Sequence, residues 1–234
     1  MAKKYELVPI VTGFGDIMYV NISGKGKRNF NDDGDEFTAT VHLKGEAAKE
    51  TIAKIDELIA QGPKDLELVS KGYKELLVDE AGKLYSPNKH GKVKVKTKND
   101  DGEVVSTDIT STLKPSGVFA VTMKTQTTFQ DGKTKKIIVQ NAKAKTVELG
   151  ERKVGNGTTG ALSGKMKIYT QKDDWGIALF LSGLQITKFV KYEGDAGFEA
   201  QDDGFEDFED DDLETEEAAE TATAEPKAKA NIKL

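Results

Sequence analysis

The sequence predicts a mainly β protein: a small Greek-key barrel with one inserted α-helix and a disordered acidic tail. Three observations carry this. Short β-rich runs recur through residues 5 to 192, one stretch near residue 50 has helical periodicity, and the composition changes sharply after Gly194. Several short strands around one helix of about 15 residues match the OB-fold pattern. Periodicity alone also allows a β-sandwich.

The strands follow in order. YELVPIV (5–11) and DIMYVNI (16–22) are separated by Gly13 and Gly15. In EFTATVHL, Phe37, Ala39, Val41 and Leu43 alternate with Thr38, Thr40 and His42, as in a half-buried strand. KVKVKT (92–97) predicts a strand with its valines in a core and Lys92, Lys94 and Lys96 on the other face. GVFAVTMKTQTTF, KKIIVQ, KMKIYT and GIALFLSGLQITKFV extend the series. Turn signals at Asp100-Asp101-Gly102, Asp131-Gly132, Gly155-Asn156-Gly157 and Asp173-Asp174 punctuate it. The helix is GEAAKETIAKIDELIAQGP, where Ile52, Ile55, Leu58 and Ile59 form one apolar stripe before Gly62-Pro63 stops it. A second short helix is expected over 64–77. The expected division is a domain over residues 1–194 and a disordered tail over 195–234.

Charge follows that division. The net charge is −6, but residues 195–234 hold 15 acids and three lysines, leaving 25 acids against 31 bases in residues 1–194. A basic body suits a polyanionic partner, and an acidic tail suits a basic protein or the body's own surface. The chain has no cysteine, which excludes disulfides, thiolate metal sites and a cysteine nucleophile. No apolar run reaches signal-peptide or transmembrane length, so a soluble protein of the cytoplasm is expected, the host's if the chain is phage-encoded.

Enzyme signatures fail one by one. GTTGALSGKMK approaches a phosphate loop, but its spacing is one residue short and Met166 stands where a magnesium-binding hydroxyl belongs; it reads as a flexible turn. His42 and His90 lie far apart and form no metal pair, and there is no nucleophile elbow. No enzyme activity and no cofactor are expected.

Lysines interleaved with aromatic or β-branched residues remain, in HGKVKVKTK, FQDGKTKKIIV and GKMKIYTQKDDW. Cations along a backbone and rings for bases to stack on are what single-stranded nucleic acid requires. Lys92, Lys94, Lys96, Phe129, Tyr169 and Trp175 are the resulting candidates. Two other readings use the same features: an acidic-tailed chaperone or assembly factor for basic clients, and a structural protein assembling through strand edges.

In TFQDGKTKK, VGNGTTGALSG, GKMKIYT and DDWGIALFLSGLQITKFV, together with the MAKK start and the acidic end, the chain resembles the single-stranded-DNA-binding proteins of short-tailed phages. The match is closest over residues 128–192. The resemblance implies an OB-fold that coats single-stranded DNA during replication, recombination and repair, and that dimerises. It also implies an acidic tail that contacts the replication DNA polymerase and helicase-primase and can occupy the DNA groove. Its basic positions fall on Lys3, Lys133, Lys135, Lys165 and Lys167 beside Tyr169, with Lys136 and Trp175 as further candidates. The ending NIKL departs from the aromatic ending of that family. Phe205 and Phe208, next to Asp210, Asp211 and Asp212, are the candidate partner-binding anchors instead.

Overall fold

The alternation in EFTATVHL becomes a nine-residue strand whose Phe37, Ala39, Val41 and Leu43 are all buried. It belongs to a computed structural model that describes residues 5–24, 26–28, 34–88, 90–98, 104–129, 131–150 and 152–192. In chain order the elements are β1 (Val8–Val11), β2 (Gly15–Asn21), β3 (Lys27–Arg28), β4 (Asp35–Leu43) and α1 (Gly45–Ile59). There follow β5 (Glu67–Ser70), β6 (Tyr73–Val78), β7 (Leu84–Tyr85), β8 (Lys94–Lys98) and β9 (Val104–Asp108). A 3-10 turn (Thr110–Thr112) leads to β10 (Lys114–Gln126), β11 (Ile138–Gln140), β12 (Thr158–Gln171) and β13 (Asp174–Lys188).

Five of these close a barrel in the order β2–β4–β10–β13–β12 and back to β2. Numbered by sequence, the barrel strands run first–second–third–fifth–fourth, and the third and fifth are parallel. This is an OB-fold. β1 extends the first strand along β12 after a bend at Thr12–Phe14. Gly13 lets that bend approach Ala47 of α1, whose Thr51 hydroxyl accepts the Gly13 amide at 2.9 Å. α1 buries Ala48, Thr51, Ile55 and Leu58 against the barrel, so two residues of the predicted stripe lie inside and Ile52 and Ile59 at its margin. The main core around Ile10, Ile17, Val41, Leu43, Ile55, Val121, Met123, Leu162 and Ile168 supplies about 1.5–3 kcal/mol per large side chain. A satellite core of Val139, Val147, Val154, Ile186 and Phe189 ties the segment after β11 to the end of β13.

Three expectations are corrected. Residues 64–77 form no helix: β5 joins β13 and β6 joins β10, and Gly72, at φ +81°, turns the chain between them. KVKVKT does not enter the barrel. β8 pairs only with β9 in a separate two-stranded ribbon, in which Val93 is buried, Val95 half-buried and all of β9 exposed. GTTGALSGKMK is not a flexible turn: after Gly157 it is the first part of β12. A Cβ at Gly160 or Gly164 would run into the carbonyl oxygen of Gln185 or Phe180 on β13, so these glycines serve close strand approach.

Four tight hairpin loops share one build: 79–83, 88–92, 129–133 and 141–145. In each, the first residue's N–H donates to the carbonyl of a lysine four positions on, and the fourth residue's N–H donates back to the first carbonyl. The fourth residue takes a positive φ of 83° at Gly82, 74° at Gly91, 80° at Gly132 and 60° at Ala144. Lys83, Lys92, Lys133 and Lys145 therefore leave their loops at equivalent positions. No helix among the described residues is long and apolar enough to cross a membrane.

Candidate nucleic-acid interface

Alternation along β12 sends Met166 and Ile168 inward and Lys165, Lys167 and Tyr169 outward. The opposing residues on β13 are Phe180, Ala178 and Gly176. Small side chains thus lie between two rings. Tyr169 leans over Gly176, where a Cβ would come within 2.8 Å of its hydroxyl, and Phe180 stands 38% exposed at the other end.

Phe180 is also the register partner of Lys124 on β10, and Lys124 that of Thr38 on β4. Continuing in both directions, the row reads Asn21, Thr38, Lys124, Phe180, Lys165, Pro9 across five strands and β1. It sets one exposed ring between two lysines. The Lys124 ammonium reaches Glu36 at 2.6 Å, which steadies its stem across the sheet. On β2, β4 and β10 the next row is uncharged, Met18, Thr40 and Thr122, with the two threonine hydroxyls bonded at 2.8 Å. Thr38, Thr40, Thr122 and Lys124 lie on the second and third barrel strands, whose face OB-folds offer to oligonucleotides, and Phe180 and Lys165 continue the row onto the fifth and fourth. His42 lies on the same face, opposite Asp16 and Ala120, and burial lowers its pKa against the pull of Asp16.

The hairpin 127–135 continues from the end of β10, starting three residues after Lys124 and one after Gln126. Its Phe129 is 55% exposed, and the Lys135 ammonium sits 5.2 Å from the ring centroid and bonds Thr125 at 3.2 Å. Lys133 pairs with Asp131 at 3.1 Å, and Lys136 is exposed beside it. The structure therefore brings Phe129, Lys133, Lys135 and Lys136 to the end of the strand that carries Lys124.

The remaining candidates fall elsewhere. Lys92, Lys94 and Lys96 belong to the ribbon that enters the opposite end of β10, roughly 35–40 Å away along that strand. Lys92 is held 3.7 Å from Asp108. Trp175 is 5% exposed, its indole lies on Gly62 and its Nε1 donates to Leu66 O at 3.1 Å. It is a core residue and offers no face to a base, because β13 places it in phase with Ile177, Leu179 and Leu181. Lys3, Phe205, Phe208, Asp210, Asp211 and Asp212 lie outside the described residues. Sequence reasoning missed Lys124 and Phe180. The signal was present: in DWGIALFLSG the inward positions are large and the outward ones are Gly176, Ala178 and Phe180, so one ring breaks a run of small residues. Among the described residues, no group of three His, Asp or Glu side chains is placed to hold a metal ion.

No protein-family model matches the sequence, and no curated protein matches it either. Among solved structures, the chain is similar to gp2.5, a single-stranded-DNA-binding protein encoded by bacteriophage T7. The TM-score is 0.49 at 12% identity, over 86% of this chain and 98% of that one. The single-stranded-DNA-binding protein of bacteriophage Enc34, in complex with single-stranded DNA, aligns at TM-score 0.44 and 15% identity, over 80% and 89% of the two chains. Its C-terminal truncation aligns at 0.41 and 12%, over 80% and 88%. The structural neighbours of this OB-fold are thus single-stranded-DNA-binding proteins of bacteriophages.

Proposed function

We propose that this protein binds and coats single-stranded DNA, without strong sequence preference, during phage DNA replication and recombination. The observation that carries the reading is the row Lys124–Phe180–Lys165 on the outer barrel face, continued by Lys167 and Tyr169. Each lysine that meets a phosphate releases condensed counterions, and each ring that takes a base contributes about 1–3 kcal/mol whatever the base. Phe129, Lys133, Lys135 and Lys136 extend the path beyond the end of β10. Lys3 joins it from the N-terminus. The ribbon lysines Lys92, Lys94 and Lys96 contact only a longer strand. The protein acts as a binding protein with no catalytic step.

In this reading residues 1–194 are the binding domain and residues 195–234 a disordered tail. The tail's net charge of −12 makes it a tethered polyanion that competes with short DNA for the basic face. A long strand displaces it. Phe205 and Phe208, among the acids that include Asp210, Asp211 and Asp212, then anchor it on basic surfaces of the replication DNA polymerase and helicase-primase. The working unit is a homodimer.

The test is fluorescence anisotropy of labelled oligothymidylate and of a matched duplex, with the full chain and with residues 1–194, across a salt series. The expected result is salt-dependent binding that favours the single strand and tightens without the tail, most at low salt. Absence of binding by both proteins would sink the proposal and leave the acidic-tailed chaperone as the better reading.

A further inference from the structure

A second group of cations lies away from that face, on the two segments that share the satellite core, 141–153 and 186–192. Lys143, Lys145, Lys153, Lys188 and Lys191 are exposed there and Arg152 is half-buried, while the acids of the same segments are Glu148 and Glu151. The lysines are presented by a built framework. Asn141 is 3% exposed, and its Oδ1 accepts the amides of Lys143 at 3.0 Å and Lys145 at 3.1 Å. Gln185 donates to the Asn141 carbonyl at 3.3 Å, which ties the loop to β13. Val154 bridges to Lys191, and the Tyr192 amide donates to Lys153 O at 2.9 Å.

The last described residue, Tyr192, therefore leaves the fold in the middle of this basic lobe. The segment that follows, 193–212, carries 11 acids, three phenylalanines and no base. We propose that the lobe is a docking surface for this segment of the chain's own tail, separate from the DNA-facing row. Tether length favours the lobe over the row. Lys188 is eight residues beyond Phe180 on β13, roughly 26 Å away. A flexible stretch of about ten residues has an r.m.s. span of roughly 16–19 Å, so the acids up to Asp203 meet the lobe more often than they meet Phe180. Acids nearest the tether also have the highest effective concentration. Ile138, 54% exposed on β11, and Tyr192, 47% exposed, offer apolar contact to a phenylalanine such as Phe198. Nucleic acid fits the lobe less well, because among its described residues only Tyr192 presents an aromatic face. Docking of the proximal acids leaves the block from Phe205 onward as the part free to reach the DNA row or a partner. The proposal does not rest on the DNA-binding reading, since its first measurement contains no DNA.

Because the chain has no cysteine, Ala200→Cys gives a unique attachment point for a spin label in the full-length protein. The expected result is loss of amide signal at 143–153 and 188–191, recovered at about 1 M salt, where the screening length falls to about 3 Å. In the same labelled protein, Lys143→Glu with Lys153→Glu should restore those signals without shifting barrel amides. Saturating oligothymidylate should leave the loss in place. Broadening confined to residues 165–180, no broadening at all, or release of the label from the lobe on adding DNA would each overturn the proposal, the last by making the lobe a nucleic-acid site.

Discussion

Phe180 and Lys124 meet at the single register point that joins β13 to β10 in parallel, so the exposed ring and its flanking cation are fixed by the closure of the barrel itself. Phe180→Ala should remove a stacking surface and leave the core intact, since the side chain points outward. Affinity for oligothymidylate is expected to fall by about 1–3 kcal/mol, roughly 5- to 150-fold. Lys165→Ala or Lys124→Ala should instead flatten the salt dependence, by about 0.7 in the slope of log K against log salt for each phosphate left unneutralised. Anisotropy titrations at several salt concentrations separate the two effects. An unchanged affinity in Phe180→Ala would move the interface elsewhere.

Gly62 lies beneath Trp175, and a Cβ there would overlap the far edge of the indole, with Cζ2 only 2.6 Å away. The ring is pinned by its bond to Leu66 O, so it has little room to give. Gly62→Ala should cost about 1–3 kcal/mol as an overpacked core site. For a domain of this size, melting followed by circular dichroism should show a loss of about 2–4 °C per kcal/mol.

Ala144 occupies the position that glycine holds in the three sibling loops, at φ +60°. A left-handed residue with a Cβ is disfavoured by roughly 1–2 kcal/mol, part of which glycine returns as flexibility of the unfolded chain. Ala144→Gly is therefore expected to raise stability by about 0.5–1 kcal/mol in urea denaturation. A decrease would mean that the Ala144 methyl makes a compensating interaction.

Burial depresses the pKa of His42 below its ordinary value of 6.5. The unfolded chain then binds the proton more readily than the folded one. The stabilisation is present above pH 6.5, and is lost as pH falls from there through the folded pKa. The melting-temperature difference between wild type and His42→Gln, measured from about pH 8 down to about pH 5, should shrink in that direction. A flat difference would place His42 in a solvent-like setting.

What could be read from the sequence was what depends on neighbours along the chain. β4, β10 and β13 announce themselves by alternation, and α1 by its stripe. Thr51 escaped notice because a hydroxyl in a helix reads as polar, whereas its bonds to Ala47 O and Gly13 N allow it to be fully buried. KMKIYT showed the second half of β12, but its first half was hidden because its glycines answer to carbonyls some 16 to 25 residues later in the chain, and one-dimensional patterns do not report such approaches. Trp175 and Phe180 exchanged roles for a different reason. Ring type suggested the tryptophan, but the parity of β13 puts it inside with Ile177 and turns the phenylalanine out.

The interior placement of Trp175 also changes what light can report. As the sole tryptophan, enclosed beside Gly62 and Leu66, it emits from within the barrel wall. Its spectrum is a gauge of the fold's integrity, isolated from whatever touches the outer surface. A variant that binds DNA weakly with unaltered emission has an impaired surface, and one whose emission shifts to the red has an impaired architecture. The protein thus carries a built-in control for every surface substitution made in it.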